Sequence, residues 1–243
     1  MKAVDLDETL PEAHMSLSRH RFVHERDWVN AEIEAKKAIA HDPNNAEAHW
    51  WYSVFLTRLG RHDEAMTEIQ QALQLDPLSS RINSALGSGL YWAGRLDQAI
   101  EQYRKMVEMD PNFAAAHSGL GLVYAKKGMH AEAVVEMRKA LDLSPGDTNT
   151  IGMLGYAYGV GGYRTEARKV IDQLCELATR RYVSSHHVAL IYVALGAKDE
   201  ALRWLEKSYE ERSQWLSHMK GEPRLEGLHS DPRFKDLLQR IGF

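Results

Sequence analysis

Two histidines four residues apart, His20 and His24, have the spacing at which neighbouring imidazoles on one helix face can bind a metal ion. No carboxylate or cysteine with matching spacing accompanies them, so the remaining ligands of a metal centre are missing. Three other histidines, His14, His49 and His117, fill one equivalent position in the repeated units described below, which favours a structural role. The sequence therefore predicts no metal site and no bound cofactor.

The glycine-rich and nucleophilic residues do not form a catalytic pattern either. Gly87-Ser88-Gly89 and Gly119-Leu120-Gly121 resemble the start of a dinucleotide-binding loop, but neither follows a predicted strand or has the third glycine of that motif. Cys175, the single cysteine, has no predicted base beside it. We therefore expect a protein without enzymatic activity.

Composition and charge argue against several classes of partner. The 243 residues are 44% hydrophobic and 26% charged, with a formal net charge of −4, so no overall attraction to nucleic acid or to an anionic membrane is built in. The basic pairs Lys126-Lys127 and Arg180-Arg181 are too short to form a nucleic-acid-binding stripe. The sequence has no long apolar run and no leader-like start. We expect a cytoplasmic protein that binds neither nucleic acid nor membrane.

Three series of residues keep one period of 34 residues along most of the chain. They are the glycines Gly60, Gly94, Gly128, Gly162 and Gly196, the alanines Ala65, Ala99, Ala133, Ala167 and Ala201, and the prolines Pro43, Pro77, Pro111 and Pro145. A fixed period of this length indicates stacked helical units, and the pattern resembles the tetratricopeptide repeat (TPR), a helix–turn–helix unit. The resemblance implies an all-α, right-handed α-solenoid in which neighbouring repeats bury each other's apolar faces.

The period divides the chain into six repeats followed by a cap. The predicted repeats are 11–45, 46–79, 80–113, 114–147, 148–181 and 182–215. The first repeat lacks the glycine and has one extra residue, which we place in its turn around Glu25-Arg26-Asp27. Asp27 is expected to cap the helix that starts at Trp28, because its carboxylate can accept a free backbone N–H.

The two ends of the chain depart from the period. Residues 1–10 are interpreted as the tail of a truncated preceding repeat, because Ala3-Val4-Asp5-Leu6-Asp7 reads like the end of a second helix. This interpretation makes the chain a piece of a longer protein. Residues 216–243 are expected to form a C-terminal cap, with a helix that starts at Ser230-Asp231-Pro232 and covers the sixth repeat. No conformation is predicted for 217–229.

Several stretches are also similar to the TPR arrays that form the C-terminal half of bacterial signalling proteins. They are Glu25-Arg26-Asp27-Trp28, His49-Trp50-Trp51-Tyr52, Arg181-Tyr182-Val183-Ser184, Glu210-Glu211-Arg212-Ser213 with Trp215, Ser230-Asp231-Pro232-Arg233-Phe234 and Ile241-Gly242-Phe243. In that group the array follows a winged-helix DNA-binding domain, a serine/threonine kinase domain or a nucleotide cyclase domain. None of these effector domains is in this sequence. The resemblance implies a sensor or assembly module.

The resemblance to TPR proteins also implies a ligand-binding groove lined by the first helix of each repeat. The groove positions carry Trp50, Val54, Arg58, Arg81, Ser84, Ser88, Tyr91, Trp92, Ser118, Leu122, Lys126, Asn149 and Tyr156. Aromatic side chains with nearby cations suit an extended peptide that has apolar and acidic side chains. The alternative for Trp50 and Trp92 is that they pack between repeats as core residues. The lysine–asparagine clamp with which some TPR domains hold chaperone C-termini is absent.

Two functions remain open. The leading hypothesis is a non-enzymatic protein–protein interaction scaffold that binds a protein or peptide ligand in the groove. The alternative is a self-association module, because a truncated first repeat leaves an apolar helix face open for a second copy. Such a homo-oligomer would bring upstream effector domains together.

Overall fold

The computed structural model describes residues 10–243, and the regular elements in this part of the chain are all helical. The α-helices are α1 (Pro11–His20), α2 (Trp28–His41), α3 (Ala46–Arg58), α4 (His62–Leu75), α5 (Ser80–Trp92), α6 (Leu96–Met109), α7 (Ala114–Lys127), α8 (His130–Leu143), α9 (Thr148–Val160), α10 (Arg164–Ala178), α11 (Ser185–Ala194), α12 (Lys198–Glu210) and α13 (Pro232–Ile241). A π-helical turn (Arg21–Glu25) follows α1, and two 3-10 turns (Gln214–His218 and Pro223–Leu228) lie between α12 and α13. The interpretation of residues 1–10 as the tail of an earlier repeat falls, except for Leu10, outside the described residues.

The helices from α1 to α12 pack as consecutive pairs, α1 with α2, α3 with α4 and so on to α11 with α12. The first helices of successive pairs also contact each other, from α1 with α3 to α9 with α11. They therefore form one continuous inner wall, while the second helices lie outside it. This is the all-α, right-handed α-solenoid that the resemblance to the tetratricopeptide repeat implies.

Small residues allow the two helices of a pair to approach closely. The periodic alanine at the start of each second helix is almost completely buried, as at Ala99, Ala133 and Ala167. A Cβ atom added at Gly121 of α7 would lie only 3.1 Å from the carbonyl oxygen of Ala133 in α8. Large apolar residues then fill the space between pairs, which gives one large core cluster from Leu90 to Ile241 and smaller clusters in the first repeats.

The periodic glycines end the first helices in the left-handed conformation, with φ between +72° and +82°. In the first repeat Arg26 takes this place with φ +57°, 34 residues before Gly60. The prediction that the extra residue lies in this turn was wrong. The extra residue is accommodated earlier, in the π-helical turn Arg21–Glu25 at the end of the first helix. Asp27 caps α2 as predicted, since its side chain accepts a hydrogen bond from the backbone N–H of Asn30.

One polar contact joins the two helices of several pairs at the same place. Nδ1 of His117 in α7 lies 2.6 Å from Oε2 of Glu136 in α8, and the His14–Glu34 and His49–Glu68 pairs repeat this distance. In the third repeat Asn83 and Gln102 take the same positions and are hydrogen-bonded. In the fifth repeat the positions hold Ile151 and Val170, which are buried. The repeated histidines therefore hold helix pairs together.

The chain after α12 divides into two parts with different roles. The final helix α13 packs on α12, where Arg233 pairs with Asp199 at 2.9 Å and Arg240 pairs with Glu206 at 2.6 Å. Residues 214–228, which we call the groove segment, instead turn back towards the inner wall. Its turn Pro223–Leu228 contacts α11, and its turn Gln214–His218 contacts the π-helical turn Arg21–Glu25 of the first repeat. The range 216–243 is therefore only in part a cap over the sixth repeat.

The groove segment is held by buried apolar side chains. Leu216, Met219, Leu225 and Leu228 are each at most 2% exposed. Fully burying a side chain of this size contributes about 1.5–3 kcal/mol. Four such anchors make the segment a fixed wall of the groove.

Candidate functional site

The concave face of α3, α5, α7 and α9 and the groove segment opposite it enclose two adjoining cavities. The larger, which we call cavity A, has a volume of about 620 Å³ and lies beside Trp50, Arg58 and Arg81. The smaller, cavity B, has a volume of about 430 Å³ and lies beside Tyr91, Glu222 and Arg224. Both are lined by Ser84, Ser88, Trp92, Ala115 and His218. The two cavities therefore lie side by side along the groove.

Most of the groove residues predicted from the sequence line these two cavities. Cavity A is lined by Trp50, Val54, Arg58, Arg81, Ser84, Ser88 and Trp92. Cavity B is lined by Ser84, Ser88, Tyr91, Trp92, Ser118, Leu122 and Asn149. These residues come from four different repeats, and the regular stacking of the first helices brings them together.

Two of the predicted groove residues, Lys126 and Tyr156, do not line either cavity. Nζ of Lys126 lies 3.0 Å from Oε2 of Glu226 in the groove segment. Tyr156 is buried, with the guanidinium of Arg224 over its ring at 5.7 Å. The physical reason is the same for both, because the chain's own residues 223–228 fill the end of the groove to which these side chains point.

Trp50 both packs between repeats and borders cavity A. The guanidinium groups of Arg19 and Arg81 both lie over its ring, each 5.1 Å from the ring centroid. Arg81 is held in turn by Glu47, with its Nη1 2.7 Å from Oε1. Nε1 of Trp50 is buried and has no hydrogen-bond acceptor within residues 10–243. The side chain is thus positioned by cation–π contacts, with its N–H donor unused.

Arg58, the last residue of α3, is a cation without a carboxylate partner in the described part of the chain. Its guanidinium lies over the ring of Phe22 at 5.6 Å from the centroid. Burial lowers the pKa of Arg58 to about 10, which still leaves the side chain charged at neutral pH. Cavity A therefore has two arginines, Arg58 and Arg81, and no aspartate or glutamate in its lining.

The charged side chains that line cavity B all have hydrogen-bond partners within the protein. The guanidinium of Arg224 binds both carboxylate oxygens of Glu222, at 2.8 Å and 2.9 Å. Asp147 caps α9 through Thr150, with its Oδ2 2.8 Å from the backbone nitrogen and 2.6 Å from the side-chain oxygen of Thr150. The lining of cavity B therefore has two carboxylates and one arginine, whereas that of cavity A has two arginines and no carboxylate.

A cluster of histidines and tryptophans fixes the groove segment against α11. The ring of Trp215 stacks on His186, with centroids 5.7 Å apart and planes 2° apart, and meets His187 edge-on at 5.2 Å. His218 lies 5.0 Å from Trp215 and 6.1 Å from Trp92. Burial lowers the pKa of His186 and of His218 well below the ordinary value, so both are neutral at pH 7.

Sequence reasoning did not find Trp215, His218, Glu222 and Arg224 as residues of the site. They lie after the end of the 34-residue period, where no helical pattern predicts which way a side chain points. One signal was present, because residues 214–224 combine a tryptophan, a histidine, a glutamate and an arginine within eleven positions. Such a composition is unusual for a connecting segment on the surface.

Neither a metal-binding cluster nor a membrane-spanning helix occurs in residues 10–243. No group of three or more histidine, cysteine, aspartate or glutamate side chains that could hold a metal ion occurs in residues 10–243. The rings of His20 and His24 are 5.2 Å apart, and Nε2 of His20 lies 3.4 Å from Oε1 of Glu25. None of the helices in this part of the chain is long and apolar enough to cross a membrane.

Comparison with known proteins agrees with the repeat architecture. Three models of tetratricopeptide repeats match residues 22–88, 89–128 and 114–147. Among solved structures, PilW, described as a widely conserved type IV pilus biogenesis factor, is 19% identical over 90% of this chain and 97% of its own, with a TM-score of 0.63. PilF of Pseudomonas aeruginosa is 19% identical over 96% of this chain and 98% of its own, with a TM-score of 0.58.

A chain of the APC/C hetero-tetramer Cut9–Hcn1 is 18% identical over the whole of this chain and 45% of its own, with a TM-score of 0.66. At such identities the similarity concerns the fold. The matching repeat models extend without a gap from residue 22 to residue 147, and the helix pairs continue beyond them to α12. The chain belongs to the tetratricopeptide repeat superfamily.

Proposed function

We propose that this TPR protein binds an extended peptide segment of a partner protein in cavities A and B, and so acts as an interaction scaffold. The observation that carries the proposal is a set of buried polar groups around the cavities that have no partner within residues 10–243. They are Nε1 of Trp50, Oγ of Ser84 and the hydroxyl of Tyr91. Buried polar groups are normally hydrogen-bonded, and each unpaired one costs about 1–3 kcal/mol. A peptide backbone supplies both donors and acceptors for such groups.

The shape of the space also fits a peptide. Each cavity falls within the range of about 300–1,000 Å³ typical of ligand sites, and the two lie side by side along the groove at Ser88 and Trp92. Trp50, Trp92 and Trp215 border this space, and tryptophan is strongly enriched among residues that dominate binding energy. A continuous lining from four repeats favours an extended ligand over a compact one.

The cellular role that we propose is the sensor or assembly part of a bacterial signalling protein. The support is the similarity of the stretches Glu25–Trp28, His49–Tyr52 and Ser230–Phe234 to the TPR arrays of such proteins. The alternative, self-association through an incomplete first repeat, depends on residues 1–10, of which the structure describes Leu10 alone. No observation within residues 10–243 favours it.

A steric block in the shared part of the cavities tests peptide binding. Ser88 borders both cavities, so Ser88→Trp fills the space, whereas Val135→Trp adds the same ring on the exposed outer helix α8. Random twelve-residue peptides displayed on phage are selected on the wild-type protein, and their affinities for both variants are measured by isothermal titration calorimetry. Circular dichroism melts verify that both variants are folded.

We expect the selected peptides to bind the Val135→Trp variant as they bind the wild type, and the Ser88→Trp variant at least about tenfold more weakly, which corresponds to about 1.4 kcal/mol. Equal affinity for a folded Ser88→Trp variant places the peptide elsewhere and contradicts the proposal. Failure to select any peptide also counts against it.

A further inference from the structure

We propose that cavity A is the receptor for an acidic side chain of the bound peptide, whose carboxylate pairs with Arg58 between the rings of Trp50 and Trp92. This inference rests on the proposed function, because it assumes that a peptide enters the groove. It specifies that the groove selects an acidic residue of the peptide and that Arg58 is the side chain that recognises it. From the sequence, Arg58 and Arg81 were equivalent candidates for contact with a ligand in the groove.

The guanidinium of Arg58 lacks hydrogen-bond and ion-pair partners within the described part of the chain. One face of its guanidinium is covered by the ring of Phe22. No carboxylate or carbonyl oxygen accepts a hydrogen bond from its five N–H donors within residues 10–243. Arg58 is only half-buried, so its guanidinium has lost part of its hydration and gained no opposite charge, while its nitrogens stay accessible to a ligand. A carboxylate in cavity A supplies that charge and can bind in the bidentate geometry that arginine favours.

The charged side chains that line cavity A are all positive. Arg58 and Arg81 line cavity A, and no acidic side chain does. Arg81 is already paired with Glu47, and its side chain is 56% exposed. Arg58 therefore carries the uncompensated charge. In cavity B the corresponding arginine, Arg224, is paired with the buried Glu222.

The carboxylate could belong to an acidic side chain of the peptide or to the peptide's C-terminus, and the position of Arg58 favours the side chain. Arg58 lies on the side of cavity A that adjoins cavity B, because a Cβ atom added at Gly221 would be 3.3 Å from the carbonyl oxygen of Arg58 and 3.2 Å from the ring of Trp92, which lines both cavities. A peptide that runs through both cavities passes Arg58 at an internal position. The carboxylate is therefore supplied by an internal glutamate or aspartate.

Paired peptide libraries test this inference directly. Both libraries contain eleven-residue peptides with acetylated and amidated ends and random flanks, with a central glutamate in one and a central glutamine in the other. Peptides selected from each are titrated against the wild type, Arg58→Met, Arg58→Lys and Arg81→Met. Methionine keeps an unbranched side chain over Phe22 without the charge, and Arg81→Met is the matched control at an arginine that is already paired.

We expect the wild type to bind selected glutamate peptides roughly 10- to 100-fold more tightly than their glutamine versions, the range of a charge-assisted hydrogen bond. This ratio falls to near one in Arg58→Met and persists in Arg81→Met. Arg58→Lys retains a part of it, because lysine keeps the charge without the bidentate geometry. Partial rescue by lysine distinguishes charge recognition from a loss of packing.

Three results overturn the inference. Equal affinity of the wild type for glutamate and glutamine peptides shows that peptides bind without a carboxylate receptor, so the proposed function survives and the inference fails. A glutamate preference that persists in Arg58→Met assigns the receptor to another residue. A preference that appears only when the C-terminal amide is replaced by a free acid assigns the site to a chain end.

Discussion

The indole of Trp28 in α2 stacks on the ring of Phe243, with centroids 4.9 Å apart and planes 2° apart. Nε1 of Trp28 also donates a hydrogen bond of 3.0 Å to the carbonyl oxygen of Gly242, which lies 214 residues further along the chain. The guanidinium of Arg26 lies over the ring of Tyr209 in α12 at 5.3 Å. The first and last helix pairs thus contact each other, which encloses the groove.

We expect Phe243→Ala to lower the free energy of unfolding by about 1–2 kcal/mol, since an aromatic pair contributes roughly 0.5–1.5 kcal/mol beyond its buried area. The control is Tyr182→Ala, which removes an aromatic ring that is 65% exposed. Urea unfolding followed by circular dichroism measures both. Equal, small effects of the two substitutions mean that the Trp28–Phe243 contact does not stabilise the array.

The repeated histidine–glutamate contact gives a second prediction. His117→Ile removes the histidine partner of the half-buried Glu136, which keeps only Lys139 at 2.9 Å, and we expect a loss of about 1–3 kcal/mol. The double substitution His117→Ile with Glu136→Val copies the Ile151–Val170 pair of the next repeat, so stability should return to within about 1 kcal/mol of the wild type. Urea unfolding of the three proteins tests this. A double variant less stable than the single one shows that the two positions are not equivalent.

The left-handed residue in the first repeat gives a third prediction. Arg26 has φ +57° at the position where the next five turns have glycine. Arg26→Gly and Arg26→Ala both remove the contact with Tyr209, but only glycine adopts this backbone conformation without strain. We expect the glycine variant to be more stable than the alanine variant by about 1 kcal/mol. Equal melting temperatures of the two variants would show that a non-glycine residue is not strained at this position.

The periodic part of the fold was predictable because each position in a TPR has one steric requirement. Gly128 must reach positive φ, Ala133 must be small, and Leu120 must fill the space between pairs, so residue types repeat every 34 positions. The same 34-residue register predicted that Trp50, Ser88 and Asn149 face the groove, and these residues line the cavities. Their role in binding stays a prediction.

The groove segment was not predictable from the sequence. Its 3-10 turns are too short to show a hydrophobic period, and their position depends on residues far away in the chain. Trp215 stacks on His186, and Gly221 lies so close to Trp92 that an added Cβ would be 3.2 Å from its ring. Such contacts form only in the folded array. Residues 223–228 of the same segment contact Lys126 and Tyr156, which therefore do not line the cavities.

The histidines beside the groove segment predict how stability depends on pH. Burial, with a smaller effect from Arg224, lowers the pKa of His187 from 6.5 to about 4, whereas Asp147 acts in the opposite direction. A histidine with a lowered pKa in the folded state binds its proton more readily when unfolded. Its stabilising effect is therefore complete above pH 6.5 and is lost as the pH falls towards 4. For His187 alone this loss amounts to roughly 3 kcal/mol.

The measurement is urea unfolding of the wild type and of His187→Phe at pH 7.5 and pH 5. Phenylalanine keeps a ring against Trp215 and removes the titration, so the variant should lose less stability on acidification. His49 has a raised pKa through its bond to Glu68 and acts in the opposite sense, but it is common to both proteins. Equal pH dependence of the two proteins contradicts the assigned shift.

The central claim, that a peptide occupies the enclosed groove, is tested most directly by photo-crosslinking. A peptide selected on the wild type carries a benzophenone side chain at its central position, and mass spectrometry identifies the protein residues that it labels. The account predicts labels on α3, α5 and the groove segment 214–228, the elements that surround the space shared by cavities A and B. Labels confined to the outer helices α4, α6 and α8 would contradict it.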